Sequence, residues 1–290
     1  MDTNLITTIE NILTGNKIIL TKLLSNAFNI NCLKIVTTNN EKFVVKYYKK
    51  KNNDFNAIQA ETKNLLFFNE EKINIFPKVV GHDENFLIIN YIEHNKKIPN
   101  KTDSQFINIL TQLHSKSSGK FGFYFDTQIG GMRQPNDFEQ NWATFFAEKR
   151  LNVVFENICK TNPMPKKINK NLENLIRDLN EKIPSNPKPA LLHGDLWEGN
   201  ILFNDGKLVG LIDPGSFYGH NEMEIAYLRW FNPIFIDSNF IKMYSEFYPI
   251  DKLYYSYEPI YQLYYSLLNL YLWDRSYIQN VKNLLKKIKI

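Results

Sequence analysis

The first third of the chain alternates between helical and strand-like patterns of apolar residues. A first helix is predicted by one apolar stripe that ends before Gly15, formed by Leu5, Ile6, Ile9, Ile12 and Leu13. Apolar and β-branched segments at 17–24, 32–37 and 43–48 are separated by polar turns. These segments predict a short antiparallel sheet.

A second helix and two further strands are expected before residue 92. Phe55, Ile58, Thr62 and Leu65 share one helix face, and Asp54 is a candidate N-cap. Pro77 and Gly81 punctuate the strands expected at 78–80 and 86–91. The region therefore reads as a sheet with one helix packed on it.

After Tyr91 the pattern is largely helical. Apolar stripes at helical spacing are Phe106, Ile109, Leu110 and Leu113; Trp142, Phe145, Phe146 and Lys149; Leu172, Leu175, Ile176 and Leu179; and Ile260, Leu263, Tyr264, Leu267 and Tyr271. The order predicts an α+β protein with an N-terminal lobe at 1–92, which ends in a hinge, and a larger helical lobe at 93–290.

Composition narrows the class of protein. Hydrophobic residues make up 43% and charged residues 22% of the 290 residues, which is typical of a globular protein. The net charge of +5 suits an anionic ligand such as a nucleotide, and without a basic block no nucleic-acid partner is expected. Cys32 and Cys159 form neither a disulfide framework nor a CxxC pair. Without a signal peptide or an apolar run of about 18 residues, a soluble, cytoplasmic protein without a membrane partner is expected. No feature of the sequence predicts an oligomeric state.

The strongest chemical signal is His193-Gly194-Asp195-Leu196-Trp197-Glu198-Gly199-Asn200, followed by Leu211-Ile212-Asp213-Pro214. Phosphoryl transfer needs a carboxylate near the attacking hydroxyl and oxygen ligands for magnesium. Asp195 can accept the hydroxyl proton, Asn200 can supply an amide oxygen to the metal, and Asp213 can bridge magnesium to the phosphates. The spacing is that of the kinase catalytic loop, H-x-D-x-x-x-x-N, and a later metal-binding Asp.

Lys46 and Glu61 form a second candidate pair. Strand alternation places Lys46 on the same face as Val44, the arrangement by which a kinase lysine reaches the nucleotide phosphates. Glu61 lies near the inward face of its predicted helix, where a charge requires a partner. The Gly-rich loop expected between the first two strands is missing, because residues 24–31 contain no glycine.

The segments HGDLWEGN and IDPGSFYGHNEMEIAYLRWF resemble the fructosamine (ketosamine) kinase family, which is related to aminoglycoside phosphotransferases and choline kinases. The resemblance extends to Lys120-Phe121-Gly122-Phe123, Gln134-Pro135-Asn136, 142–146, Arg150-Leu151 and 261–269. It implies a bilobal protein-kinase-like fold. It also implies ATP- and magnesium-dependent phosphorylation of the C3 hydroxyl of glycated amines, such as fructosamine or ribulosamine, which is a deglycation reaction.

The resemblance assigns roles to single residues. Asp195 is the catalytic base, Asn200 and Asp213 bind metal, and Lys46 with Glu61 holds the ATP phosphates. The backbone of Asn90, Tyr91 and Ile92 matches the adenine-binding hinge. Trp197 is expected to line the sugar site, with core packing as its alternative role. His193 and Glu224 are expected to support the catalytic loop.

Three hypotheses follow for the function. The first is a ketosamine 3-kinase that acts on a free or protein-bound glycated amine. The second is a related kinase for an aminoglycoside, choline or a thiosugar. The third is a nucleotide-binding pseudokinase, which the missing glycines favour but the presence of every catalytic carboxylate opposes.

Overall fold

The computed structural model describes residues 1–50 and 55–289, and its chain forms two compact units. The first unit comprises Met1–Lys97, Thr127–Arg133 and Ile201–Pro214, and the second comprises Ile98–Asp126, Gln134–Asn200 and Gly215–Ile290. The division into lobes at 1–92 and 93–290 stays a prediction. The two short returns of the chain to the first unit have no counterpart in the sequence-based division.

Eleven strands and ten α-helices are assigned among the described residues. The strands are β1 Ile18–Ala27, β2 Ile30–Thr37, β3 Lys42–Tyr48, β4 Val79–His82, β5 Phe86–Asn90, β6 Thr127–Ile129, β7 Met132–Gln134, β8 Pro189–Leu192, β9 Ile201–Asn204, β10 Lys207–Leu211 and β11 Phe217–His220. The helices are α1 Thr3–Ile12, α2 Ala57–Glu70, α3 Ser104–Ser115, α4 Trp142–Phe146, α5 Asn152–Thr161, α6 Lys166–Arg177, α7 Asn221–Phe231, α8 Phe240–Ser245, α9 Tyr254–Leu272 and α10 Ile278–Lys287.

The first unit contains the predicted antiparallel sheet, in the order β1-β2-β3-β5-β4. One sheet face packs against α1 in a buried cluster formed by Ile9, Leu13, Ile35, Phe43, Val45, Phe86 and Ile88. Because side chains alternate along β3, Val44 and Lys46 lie on the face opposite Val45. The sheet and its register therefore set the position of Lys46, whose neighbours across the strands are Cys32 and Leu87.

Local polar contacts define where the two helices of this region begin. Asp2 caps α1 by accepting a hydrogen bond from the Leu5 amide, and Asn56 caps α2 by accepting one from the Gln59 amide. The suggested cap Asp54 lies outside the described residues. Beyond α1, Gly15 has a φ of 82°, a left-handed conformation that glycine adopts without strain.

A two-residue turn replaces the missing Gly-rich loop. Ala27 of β1 pairs directly with Ile30 of β2, and the intervening Phe28 and Asn29 both have positive φ angles of 50° and 63°. Such a pair of left-handed residues is typical of a type I′ hairpin turn. Phe28 packs on the turn between β6 and β7, where a Cβ on Gly131 would lie 3.2 Å from the Phe28 Cβ.

The second unit is mainly helical, with short strands that the helical pattern did not predict. β8, which directly precedes the motif at 193–200 along the chain, pairs with β11 in an antiparallel ribbon. The motifs shared with the resembled family form buried polar contacts here. The Arg150 guanidinium donates to the Asn136 side chain at 2.6 Å, and Tyr264 donates to Gln134 at 3.1 Å. The shared motifs that contain Gln134, Asn136, Arg150 and Tyr264 therefore stabilise the core of this unit through buried hydrogen bonds.

The stripe that begins at Trp142 departs from regular helical spacing. Residues Ala147–Leu151 form one π-helical turn between α4 and α5. Regular helical spacing predicts that Lys149 faces the core. Instead, Lys149 pairs with Asp137 at 2.8 Å, and the fully buried Arg150 faces the core. The wider turn carries one additional residue and changes which side chain points inward.

His220 belongs to a buried hydrogen-bond chain. Trp142 donates to the Tyr261 hydroxyl at 2.8 Å, and that hydroxyl lies 2.8 Å from Nδ1 of His220. Because the indole can only donate, the Tyr261 proton is available to His220 Nδ1, which must then be unprotonated. Burial, together with His114, lowers the pKa of His220 to about 3. Its Nε2 lies 3.7 Å from Glu222.

Within the described part of the chain, no helix is both long enough and apolar enough to cross a lipid bilayer.

We expect the free energy of unfolding to decrease more steeply in the wild type than in His220→Gln as the pH is lowered. An unfolded histidine binds a proton below about pH 6.5, whereas folded His220 resists protonation down to about pH 3, so this contribution is lost as pH falls through that window. The added loss approaches about 1.4 kcal/mol per pH unit. Urea denaturation at pH 7.5, 6.5 and 5.5 measures the difference, and equal slopes for both proteins would contradict it.

Candidate active site

The His193-Gly194-Asp195 segment follows β8 and depends on a close backbone approach. Gly194 has a φ of 86°, and a Cβ added there would lie 2.1 Å from the Gly215 carbonyl oxygen. The Gly215 amide donates to the His193 carbonyl at 3.0 Å. Only glycine fits this position, because any side chain would overlap the facing backbone.

Glu224 of α7 holds this segment through its carboxylate. Its Oε1 accepts from the Gly194 amide at 2.7 Å, and its Oε2 accepts from the His193 amide at 3.2 Å. Its Oε2 also lies 3.0 Å from Nε2 of His114, and both side chains are fully buried. Burial would raise the pKa of Glu224, but the contacts with His114 and the loop outweigh it and the pKa is lowered. The carboxylate is therefore ionised and fixes the loop backbone.

His114 is itself oriented by polar contacts, and the sequence analysis did not identify it. Asn221 donates to the Tyr244 hydroxyl at 2.9 Å, and that hydroxyl lies 2.6 Å from Nδ1 of His114. With the Tyr244 proton directed at Nδ1, the other nitrogen can donate to Glu224. The signal for His114 was a histidine directly after the apolar stripe of α3, but its partners lie more than a hundred residues away.

Asp195 has a half-buried carboxylate that contacts two donors. The Asn200 amide nitrogen donates to the Asp195 carbonyl at 2.8 Å and to Oδ2 at 3.2 Å. The Tyr227 hydroxyl donates to Oδ1 at 3.5 Å. Because Asn200 uses its nitrogen for Asp195, its amide oxygen is the atom suited to a hard cation.

In the first unit, Lys46, Glu61 and Asp213 form a triad. The Lys46 ammonium lies 2.6 Å from Glu61 and 2.5 Å from Asp213. Lys46 and Glu61 are buried, whereas the Asp213 side chain is 39% exposed. The structure thus brings the strand lysine and the helix glutamate together, and adds the aspartate that follows β10.

The charges of the triad do not balance. Burial opposes the charged form of Lys46, but the carboxylates of Asp213 and Glu61 outweigh it and raise the pKa of the ammonium. Burial raises the pKa of Glu61 despite Lys46, and the charge of Asp213 adds to the rise. One ammonium thus faces two carboxylates, and this excess negative charge at the exposed Asp213 fits a divalent cation.

No cluster of three or more His, Cys, Asp or Glu side chains suited to a metal occurs in the described part of the chain. Magnesium is commonly held by one or two protein oxygens together with substrate phosphates, so such a cluster is not required. Asp213 also has a φ of 56°, an uncommon conformation for a residue other than glycine. Strained backbone of this kind is concentrated at functional positions.

The predicted hinge follows β5, and part of its backbone is already hydrogen-bonded within the first unit. The amides of Asn90 and Tyr91 donate at 3.1 Å to the carbonyls of Lys78 and Lys42, respectively. The Ile92 carbonyl lies 2.9 Å from Nδ1 of His94. Contacts of this stretch with adenine would therefore involve other backbone groups than the amides of Asn90 and Tyr91.

Trp197 lies against the loop that carries it. A Cβ added to Gly199 would lie 2.3 Å from the indole ring, and the Phe231 ring centroid is 5.3 Å from the indole. Trp197 is half-buried, so part of the ring contacts the loop and part remains accessible. Both roles expected from the sequence are compatible with this placement.

Comparison with known proteins assigns this geometry to a family. The fructosamine kinase family pattern matches residues 3–290. The chain belongs to the fructosamine kinase family. A "probable ketoamine kinase" of Pasteurella multocida is 30% identical over 217 residues, which cover 74% of this chain and 73% of the relative. The resemblance identified from the sequence is thus confirmed, and the chain is an ATP-dependent phosphotransferase of the sugar-amine kinase type.

Solved structures confirm the protein-kinase-like fold predicted for this chain. A "putative fructosamine-3-kinase" of Thermobifida fusca has a TM-score of 0.85 at 20% identity and covers 100% of this chain and 99% of its own. The aminoglycoside phosphotransferase APH(2″)-IIa, solved with gentamicin, has a TM-score of 0.68 at 18% identity and covers 99% and 96%. At these identities the likeness establishes the fold alone.

We expect Lys46→Ala and Glu61→Ala to be strongly coupled in the kinase. Removal of Lys46 leaves the buried Glu61 without its counter-ion, which costs about 3–5 kcal/mol of folding stability, whereas removal of Glu61 leaves Lys46 with Asp213 and should cost less. The double variant should lose about 0.5–3 kcal/mol less than the sum of the two single losses. Urea denaturation of the four proteins at pH 7.5 measures the coupling. The control cycle combines Lys17→Ala with Glu10→Ala. Because Lys17 is exposed, its 2.7 Å pair with Glu10 should show weak coupling. Additive losses at Lys46 and Glu61 would contradict the pairing.

Proposed function

We propose that this kinase transfers the γ-phosphate of ATP to the C3 hydroxyl of a ketosamine, such as fructosamine or ribulosamine, with magnesium as cofactor. The observation that carries the proposal is the Asp195 carboxylate, which is accessible and lies on a loop fixed by Glu224. Family membership over nearly the whole chain supports the sugar-amine acceptor. In this proposal the reaction serves deglycation in the cytoplasm.

Residues of the first unit serve the ATP side of the reaction. Lys46, oriented by Glu61 at 2.6 Å, places its ammonium where it neutralises phosphate charge. Asn90, Tyr91 and Ile92 contact the adenine through backbone groups. The turn at Phe28 and Asn29 takes the place of the glycine loop, and left-handed backbone of this kind can bind phosphate oxygens through its amides.

Residues of the second unit act on the acceptor. Asp195 orients the hydroxyl and accepts its proton while the hydroxyl oxygen forms a bond to the γ-phosphorus. The bond from that phosphorus to ADP breaks, and ADP leaves with its electron pair. A carboxylate held by Asn200 loses little freedom when it accepts the proton, which favours transfer. His193 and Glu224 maintain the loop backbone.

Asn200 and Asp213 are the residues that would hold magnesium. The Asn200 amide presents its oxygen because its nitrogen binds Asp195, and Asp213 belongs to a triad with excess negative charge. When bound, the cation neutralises charge on the phosphates.

The two alternative functions differ from the proposed one in the acceptor that is phosphorylated or in the absence of phosphorylation. An aminoglycoside, choline or thiosugar kinase would share the ATP residues but not the acceptor. A pseudokinase would bind ATP without turnover. The Asp195 carboxylate and its donors favour an active enzyme.

We expect Asp195→Asn to lower kcat on a ketosamine by about 10²- to 10⁴-fold, because the amide cannot accept the hydroxyl proton. A coupled ADP assay with fructose-lysine, ribulose-lysine, a glycated protein, an aminoglycoside and choline identifies the acceptor. Phosphorus NMR of the product locates the phosphate, and EDTA followed by excess magnesium tests the metal. Asp205→Asn, which changes an exposed carboxylate, is the matched control and should leave kcat unchanged. Turnover of choline or an aminoglycoside alone would overturn the proposed substrate.

We expect Trp197→Ala to raise the KM for the ketosamine by about tenfold or more and leave the KM for ATP unchanged, because an aromatic face packs on the sugar C–H surface. Trp273→Ala, at a 62% exposed tryptophan of the same unit, is the control. Steady-state kinetics and thermal melts are measured on both variants. A loss of stability of about 3–5 kcal/mol with an unchanged ketosamine KM would show that Trp197 only packs beneath the loop.

A further inference from the structure

Tyr227 contacts the Asp195 carboxylate, and no motif in the sequence pointed to it. It lies three residues after Glu224 on α7, so both side chains share one helix face. Glu224 holds the loop backbone, whereas the Tyr227 hydroxyl reaches Oδ1 of Asp195 at 3.5 Å. One helix thus contacts both the backbone and the carboxylate of the catalytic loop.

The ring of Tyr227 is fixed by a parallel stack. Its centroid lies 3.6 Å from that of Tyr265 on α9, and the two planes differ by 2°. Tyr227 is 5% exposed and Tyr265 is fully buried. Packing therefore sets the position of the hydroxyl, which keeps only the rotation of its proton.

The two oxygens of Asp195 have donors from different parts of the fold. Oδ2 accepts from Asn200 at 3.2 Å, and Oδ1 accepts from Tyr227. The terminal torsion of an aspartate has a broad energy well, so a single donor leaves the carboxylate free to rotate. Two donors define its plane. Burial, followed by the charge of Asp195, raises the pKa of Tyr227, so the hydroxyl stays a neutral donor.

We propose that Tyr227 is a positioning residue that sets the plane of the Asp195 carboxylate for proton transfer from the acceptor hydroxyl. The inference rests on the proposed role of Asp195 as the base. A contact of 3.5 Å is long for a hydrogen bond between oxygens, and such contacts often shorten once substrate is bound. The contribution to turnover is therefore moderate and falls on kcat.

Tyr227→Phe tests the hydroxyl and retains the stacked ring. We expect kcat on the ketosamine to fall about three- to tenfold, with the KM values for ATP and ketosamine unchanged, because misplacement of the base slows the chemical step without weakening binding. A purely structural role would lower the melting temperature and leave kcat per folded molecule unchanged.

Tyr265→Phe is the matched control, since it removes the other hydroxyl of the same stack. That hydroxyl is buried and has no hydrogen-bond partner in the described part of the chain. We expect kcat and both KM values to match the wild type. An unchanged kcat in Tyr227→Phe, or an equal loss in the two variants, would overturn the inference.

A second measurement does not depend on turnover. Urea denaturation of the wild type, Tyr227→Phe, Asp195→Ala and the double variant forms a double-mutant cycle. We expect coupling of at least threefold in the unfolding equilibrium constant, and additive effects would overturn the contact whatever the acceptor. The proposed function fails separately, if the wild type phosphorylates no ketosamine.

Discussion

The loop that carries Asp195 depends on one buried carboxylate. Glu224 is fully buried and ionised, and such a charge is stable only when donors surround it. Its donors are the His193 and Gly194 amides and the His114 imidazole. Because His114 lies on α3, and its other partner Tyr244 lies on α8, the charge connects three helices to the loop.

The first unit satisfies its buried charges in a different way. Glu61 has Lys46 as its partner, but Lys46 also binds Asp213, so neutralisation is incomplete. In the second unit the polar groups around Glu224 leave a fixed backbone, whereas here they leave a net charge. The arrangement around Glu224 in the second unit fixes a backbone geometry, whereas the arrangement around Lys46 in the first unit suits the binding of a charged ligand.

The sequence predicted these features unequally. Lys46 and Glu61 followed from strand alternation and one helix face, because those patterns are local, and the structure confirms that they pair. The antiparallel sheet of the first unit was also predicted from local alternation, and the structure confirms it. β8 and β11 have four residues each, too few for a clear alternation. His114 and Tyr227 were missed because their partners are distant in sequence, and no local pattern encodes such contacts. The roles assigned to Asp195, Asn200, Asp213 and Trp197 stay predictions.

The π-helical turn at Ala147–Leu151 changes the phase of everything that follows it in the same helical run. Each residue of an α-helix advances the side-chain direction by about 100°. The wide turn absorbs one residue more than a regular turn, and this keeps Val154, Phe155 and Ile158 of α5 in phase with the buried side chains of α4. If the same residues were wound into a regular α-helix, those three side chains would rotate by about 100° away from the core they now fill. The width of the turn, more than the identity of its exposed residues, therefore keeps α4 and α5 on one core face.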